Sequence, residues 1–213
     1  DMEQPYGLLL VALDVARVAE DEFNDWYDTE HLPERERLPG FLNAQRWVAV
    51  ENPKVYAATY DLESLDALKT PEYRAIGGDN ASPWSKRMLS RCERLHRLEG
   101  VQIIPGGRAG ALDAGGLMVI AMNVPPEVED EFNAWYNEEH IPRLGAVEGC
   151  LAARRFRMPA GPHRYLALYR LRTPEVLFSK PWTDEGKTPW TSKMRPYFRD
   201  HVRILMRRYG RGS

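Results

Sequence analysis

The sequence reads EDEFNDWYDTEHLP at residues 20–33 and EDEFNAWYNEEHIP at residues 129–142, so one aromatic and acidic motif occurs twice. The two copies keep a constant spacing of 109 residues, which is the interval from His31 to His140. About half of the residues from 20 to 47 are identical at this spacing, far more than chance composition gives. The repeat predicts that the chain is a tandem duplication of one small unit.

The matching residues continue outward from the motif and define the length of each copy. The first copy covers residues 1–104 and the second covers residues 116–213. Between them, residues 105–115 are rich in glycine, which is typical of a linker. The sequence therefore predicts two domains of about 100 residues each, a normal size for a small domain.

Hydrophobic periodicity predicts the same elements in both copies. A helix from residue 20 to residue 31 has acidic residues in its first turn and is expected to end at Pro33. The expected order is strand, helix, strand, strand, helix, strand, the split βαβ arrangement of the ferredoxin-like fold. Such a sheet carries helices on one face only, so we expect the two sheets to pack face to face as an intramolecular α+β barrel.

Composition limits the partners of the protein. The formal net charge is -2, with 29 Lys and Arg against 31 Asp and Glu, so we expect no nucleic-acid partner. The longest apolar stretch, residues 6–13, is too short to span a bilayer, and we expect a cytoplasmic protein without a membrane partner. Because the second copy covers the open sheet of the first, any homo-oligomer is expected to use helix faces or outer strands.

The repeated motif resembles a known signature. WYDTEHLP at residues 26–33 and WYNEEHIP at residues 135–142 resemble the aromatic–aromatic–x–x–x–His–x–Pro pattern of EthD-like proteins, in the dimeric α+β barrel superfamily. The resemblance implies a cavity between sheet and helices that binds small, often aromatic or cyclic, molecules. It also implies a choice among cofactor-independent monooxygenases, cyclases, isomerases, dehydratases and decarboxylases, beside haem-binding branches.

The motif residues themselves favour acid–base chemistry. On an α-helix Phe23, Tyr27 and His31 share one face, while Trp26 lies on the adjacent face. An imidazole beside aromatic walls can exchange protons near neutral pH, with a tyrosine or arginine binding the developing oxyanion. The catalytic candidates are therefore His31, His140, Tyr27 and Tyr136.

The expected function is a cofactor-independent lyase or dehydratase, isomerase or oxygenase that acts on a small aromatic or cyclic compound in catabolism or secondary metabolism. The alternative is a non-catalytic binding or accessory protein, in which the histidine only ends a helix and bonds backbone carbonyls. The first copy is the preferred location of the full site. Its Asp28 adds a carboxylate where the second copy has Asn137, and its glycine-rich loop at residues 77–80 is suited to open over a ligand.

Four tryptophans are candidates for ligand contact. Trp26 and Trp135 lie in the motif helices, where large aromatics commonly belong to the core. Trp84 and Trp190 each follow a proline at the start of a helical turn, from which a side chain can cover a pocket or simply fill a gap. Both interpretations stay open for each residue.

Two arginines recur on the second strand of each copy. Arg46 and Arg155 are candidates for binding a carboxylate or phenolate of the substrate. The alternative is a repeated ion pair with Glu30 and Glu139. No cofactor or metal is expected. A haem on His96 or His201, or a metal at a motif His–Glu pair, lacks the companion ligands such sites need.

Overall fold

The computed structural model describes residues 4–105 and 112–210, and these form two compact units, Asp1–Val101 and Gln102–Ser213. The predicted linker, residues 105–115, falls mostly outside the described residues. The predicted domain limits therefore stay a prediction. No helix among the described residues is long and apolar enough to cross a membrane.

The first unit has four antiparallel strands in the order β4-β1-β3-β2. Its central strand β1 is almost entirely apolar and buried, as expected for a strand paired on both edges. The elements are β1 (Gly7–Asp14), α1 (Glu20–Trp26), a π-helical turn (Tyr27–His31), α2 (Leu32–Glu36), β2 (Phe41–Ala49), β3 (Val55–Leu62), a 3₁₀ turn (Leu65–Leu68), α3 (Pro71–Arg74), a 3₁₀ turn (Gly78–Asn80), α4 (Pro83–Arg91) and β4 (Glu93–Ile104).

The second unit repeats this arrangement, with antiparallel strands in the order β8-β5-β7-β6. Its elements are β5 (Gly116–Asn123), a 3₁₀ turn (Pro126–Val128), α5 (Glu129–Trp135), a π-helical turn (Tyr136–His140), α6 (Ile141–Gly145), β6 (Cys150–Arg157), β7 (Tyr165–Leu171), a 3₁₀ turn (Pro174–Phe178), α7 (Lys180–Glu185), α8 (Pro189–Met194), a 3₁₀ turn (Arg195–Tyr197) and β8 (Arg199–Arg208). The α+β class and the ferredoxin-like strand order of each unit are confirmed.

The motif helix does not end at Pro33, contrary to the sequence prediction. The Leu32 amide donates to the Tyr27 carbonyl five residues earlier, which makes the π turn, and the chain then continues as α2. Pro33 thus stands in the first turn of a new helical segment, where its missing N–H costs little. The same turn precedes Pro142 in the second unit. Short π segments are rare and occur frequently at functional sites.

Candidate functional site

The π turn brings the motif histidine against the motif tryptophan. In the second unit the ring centroids of His140 and Trp135 lie 4.5 Å apart with an interplanar angle of 27°, and Tyr136 meets His140 edge-on at 5.3 Å. In the first unit His31 lies 4.4 Å from Trp26. Residues five apart do not face each other on an α-helix. The added residue of the π turn therefore builds an aromatic cluster that the helical period did not predict.

The motif tyrosines are buried and keep their protons. Burial raises the pKa of Tyr27 and of Tyr136 above the usual value for a phenol. The Tyr27 hydroxyl lies 3.4 Å from the Tyr60 hydroxyl in the first unit. At neutral pH both motif hydroxyls are therefore hydrogen-bond donors and not bases.

Arg46 lies on β2 and is held by the motif helix of the first unit, not by Glu30. Its Nη1 donates to Asp28 at 2.9 Å and its Nη2 donates to Asn24 at 2.8 Å, while the guanidinium lies 4.4 Å from the centre of the Tyr27 ring. The alternative of an Arg46–Glu30 ion pair is wrong, since Glu30 binds other residues. The guanidinium is buried, and the Asp28 carboxylate compensates its charge.

Arg155 occupies the same place in the second unit without a carboxylate. Its Nη1 donates to Asn137 at 2.7 Å and its Nη2 donates to Asn133 at 3.0 Å, and it lies 4.4 Å from the centre of the Tyr136 ring. The side chain is fully buried, and its Nε has no hydrogen-bond partner. Burial lowers the pKa of Arg155. The change from Asp28 to Asn137 therefore leaves the second unit with a buried positive charge that only amides solvate.

The motif glutamates tie the motif helix to the later Pro-Trp helix. In the second unit Thr188 donates to Glu139 at 2.7 Å, and Trp135 Nε1 donates to Thr191 Oγ1 at 3.1 Å. The equivalent bonds of the first unit involve Glu30, Ser82, Ser85 and Trp26. Because the glutamate oxygens accept these hydroxyl protons, the alternative Arg155–Glu139 ion pair is also wrong. The network fixes the indole against which the motif histidine stacks.

A cavity of about 610 Å³ opens in the second unit, within the range of small-molecule sites. Its lining includes three predicted site residues, His140, Tyr136 and Trp135, and a fourth aromatic, Trp182. The other lining residues are Met118, Ile120, Met122, Leu144, Leu177, Thr183, Gly186, Lys187, Thr191, Arg195, Phe198, His201 and Arg203. A mainly apolar wall with a few polar groups is the usual composition of such a site.

Two of the predicted site residues of the second copy do not line this cavity. Arg155 and Trp190 are absent from the lining, and Trp190 packs against the core of its unit, so the packing alternative holds for it. Trp182 takes its place. Trp182 follows Pro181, and these two residues form the other Pro-Trp pair of the second copy. That pair was the sequence signal that could have pointed to Trp182 as a cavity residue. Trp84 is half-buried, and its predicted contact with a ligand stays a prediction.

The histidines of the cavity are uncharged at neutral pH. Burial, with Arg195 and Arg155 nearby, lowers the pKa of His140 to about 4. Burial, with Arg203 and Arg195 nearby, also lowers the pKa of His201. Arg195, which lines the same cavity, contributes to both reductions. The cavity therefore combines neutral imidazoles, which accept protons, with fixed positive charge.

The motif histidine of the first unit is buried beside charged side chains. His31 is 7% exposed, and burial with Arg35 and Arg46 nearby lowers its pKa well below the usual value. Arg35 stands at the position equivalent to Leu144, is itself buried, and donates to the His31 carbonyl oxygen at 3.3 Å. The His31 Nδ1 has no hydrogen-bond partner, so the alternative in which this imidazole bonds backbone carbonyls is wrong for Nδ1.

The residues of the cavity do not fit a haem iron or another metal. A metal-bound histidine almost always donates its second ring N–H to a carboxylate or carbonyl, and neither His140 nor His201 makes a hydrogen bond within residues 4–105 and 112–210. No group of three or more His, Cys, Asp or Glu in these ranges could hold a metal ion.

The fold of the chain is shared with several solved structures. A protein assigned as a monooxygenase from Fusobacterium nucleatum superposes with a TM-score of 0.68 at 10% identity, over 98% of this chain and 94% of the other. An anthrone oxidase-like protein gives 0.60 at 9% identity, over 96% and 92%. A mutant chlorite dismutase from Candidatus Nitrospira defluvii gives 0.65 at 10% identity, over 98% and 93%.

This chain has the fold of these proteins. No protein-family model matches the sequence, and no curated protein matches it either. At about 10% identity the likeness concerns the fold alone.

Proposed function

We propose that the chain is a cofactor-independent, EthD-like enzyme that acts on a small aromatic or cyclic compound in the cavity of the second unit. The reaction is of the lyase or dehydratase, isomerase or oxygenase type. One observation carries the proposal: His140 is an uncharged imidazole stacked on Trp135 inside a cavity that also holds cationic side chains. The fold shared with monooxygenase-like and anthrone oxidase-like proteins supports an enzyme.

The three reaction types share a first step that this site is suited to perform. His140 accepts a proton from an acidic C–H or O–H of the ring compound, and the electron pair moves onto the substrate oxygen. The developing oxyanion is stabilised by the positive charge of the cavity, to which Lys187, Arg195 and Arg203 contribute. An oxygenase would then pass the resulting carbanion or phenolate to dioxygen.

The second unit is the better location for this chemistry, which reverses the preference for the first copy. The carboxylate of Asp28, counted in favour of the first copy, is used to neutralise Arg46. Arg35 stands at the position equivalent to Leu144 and is buried. Burial of His31, together with the charge of Arg35, lowers the pKa of His31. His31 is therefore a buried structural residue in this proposal, and His140 is the base.

Hydrogen–deuterium exchange at an enolisable ring compound tests the proposal without knowledge of the natural substrate. 2-Tetralone is dissolved in D₂O with the full-length protein, and loss of its C1 proton signal is followed by NMR. We expect exchange well above the buffer rate, because a positioned base contributes roughly 10²–10⁴-fold. Exchange at the buffer rate, although the ketone binds, would contradict a catalytic role.

That last outcome would support the alternative, a non-catalytic small-molecule-binding protein. The observation in its favour is the pKa of His140, which at about 4 is lower than the value best suited to a general base at neutral pH. Binding of an anion beside the imidazole would raise the pKa of His140. A catalytic role requires that increase, whereas a binding role does not.

A further inference from the structure

All charged side chains that line the cavity of the second unit are cationic. They are Lys187, Arg195 and Arg203, and no Asp or Glu belongs to the lining. Within the described ranges, neither arginine has a carboxylate at salt-bridge distance. Other cations of the same region are paired, since Lys193 bonds Glu131 and Arg207 bonds Glu175, each at 2.7 Å. The two cavity arginines are therefore available to a ligand.

The cavity histidines do not offset this positive charge, and neither do the side chains packed behind Tyr136. His140 and His201 are neutral at pH 7. Behind Tyr136 lies the buried guanidinium of Arg155, bonded to amide oxygens only. The first unit has a carboxylate at this point, because Asp28 stands where the second unit has Asn137. Lys187, Arg195 and Arg203 are exposed to solvent, and an anionic ligand would form charge-assisted hydrogen bonds with them that a neutral ligand does not form.

The remaining wall is suited to a flat ring. Trp135, Trp182 and Phe198 supply aromatic surface, and Leu144 and Leu177 add aliphatic surface. Aromatic side chains pack favourably against another ring, by about 0.5–1.5 kcal/mol per pair beyond the buried area. Ring-binding and anion-binding groups thus line one cavity.

We propose that the ligand of this cavity is an aromatic carboxylate, whose ring packs on Trp135, Trp182 and Phe198 and whose carboxylate binds Arg195 and Arg203. Arg195 lines the same cavity as both imidazoles, so a carboxylate bound to it would increase the basicity of His140. The inference rests on the proposed function, because it takes this cavity as the substrate site.

The test uses a matched pair of ligands that differ in charge only. The neutral fluorophore N-phenyl-1-naphthylamine reports occupation of the cavity, and 2-naphthoate or 2-naphthamide is added to displace it from the full-length protein. We expect 2-naphthoate to bind at least about tenfold more tightly than the amide, since hydrogen bonds to a charged group are stronger than those between neutral groups. The preference should weaken as salt is raised.

Variants assign the preference to particular side chains. In the double variant R195M/R203M the two ligands should bind equally. R199M removes the same charge from an exposed position of β8 outside the lining and should keep the preference. Circular dichroism checks the folding of each variant, and the salt dependence of the wild type tests the charge effect independently of any substitution.

Three outcomes overturn the inference. Equal affinity for acid and amide in the wild type would contradict the claim that the ligand is an anion. The proposed function would be left standing. A preference that survives in R195M/R203M would contradict the assignment to these arginines. Failure of the fluorophore and of both ligands to bind would contradict the inference and the proposed function together. An intact preference without deuterium exchange would remove only the catalytic role.

Discussion

Replacing His140 with alanine is expected to slow the catalysed exchange of 2-tetralone by about 10²- to 10⁴-fold, the usual contribution of a general base. His140 is the motif imidazole that lines the cavity, and the neutral form that accepts a proton is fully populated at neutral pH because its pKa is about 4. The loss should appear in kcat more than in KM, since the imidazole acts on the transition state.

His31→Ala is the matched control, because it removes the identical motif residue from the first unit. His31 is buried beside Arg35 and does not line the described cavity, so the exchange rate should change less than about threefold. Circular dichroism and urea denaturation check that both variants fold. Equal losses in the two variants would contradict an asymmetric site, and no loss in either would remove histidine catalysis.

Replacing Trp26 with alanine is expected to lower the free energy of unfolding of the first unit by about 3–5 kcal/mol, as large aromatic deletions in cores do. The indole is fully buried, donates to Ser85 Oγ at 3.0 Å and packs on His31 and Tyr27. The substitution creates a void and also leaves Ser85 without this donor. Trp26 is thus a core residue in this account and not a ligand contact.

Trp84→Ala provides the comparison for Trp26→Ala, since Trp84 is half-buried and begins the next helix. We expect a loss of about 1–2 kcal/mol there, typical of a partly exposed side chain. Urea denaturation followed by far-UV circular dichroism measures both variants without relying on tryptophan fluorescence. Similar losses in the two would contradict the assignment of Trp26 to the core.

The elements of each unit were predictable because strands, helix starts and turns depend on local patterns. The buried apolar run of β1 and the acidic first turn of α1 are examples. The π turn was not predictable from the hydrophobic period of the helix alone. It depends on one backbone hydrogen bond, in which the Leu32 amide donates to the carbonyl five residues earlier. The stacking of His31 on Trp26 depends on that turn.

The motif half of the site was predictable, and the rest of the cavity was not. His140, Tyr136 and Trp135 follow from the repeat. Arg195 begins the 3₁₀ turn before β8 and His201 lies on β8, and only the folded chain brings them to the cavity that the motif lines. The role of Asp28 was misjudged for a related reason. The sequence shows that a carboxylate is present, and only the structure shows that Arg46 binds it.

Histidine NMR in the full-length protein tests the central claim, that the functional site lies at His140 in the second unit. The chain has only five histidines, so their ring signals can be assigned by substitution. Without ligand, the His140 signal should titrate near pH 4, and saturation with 2-naphthoate should shift that signal and raise its pKa while His31 stays unchanged. A shift at His31 with His140 unaffected would contradict the account.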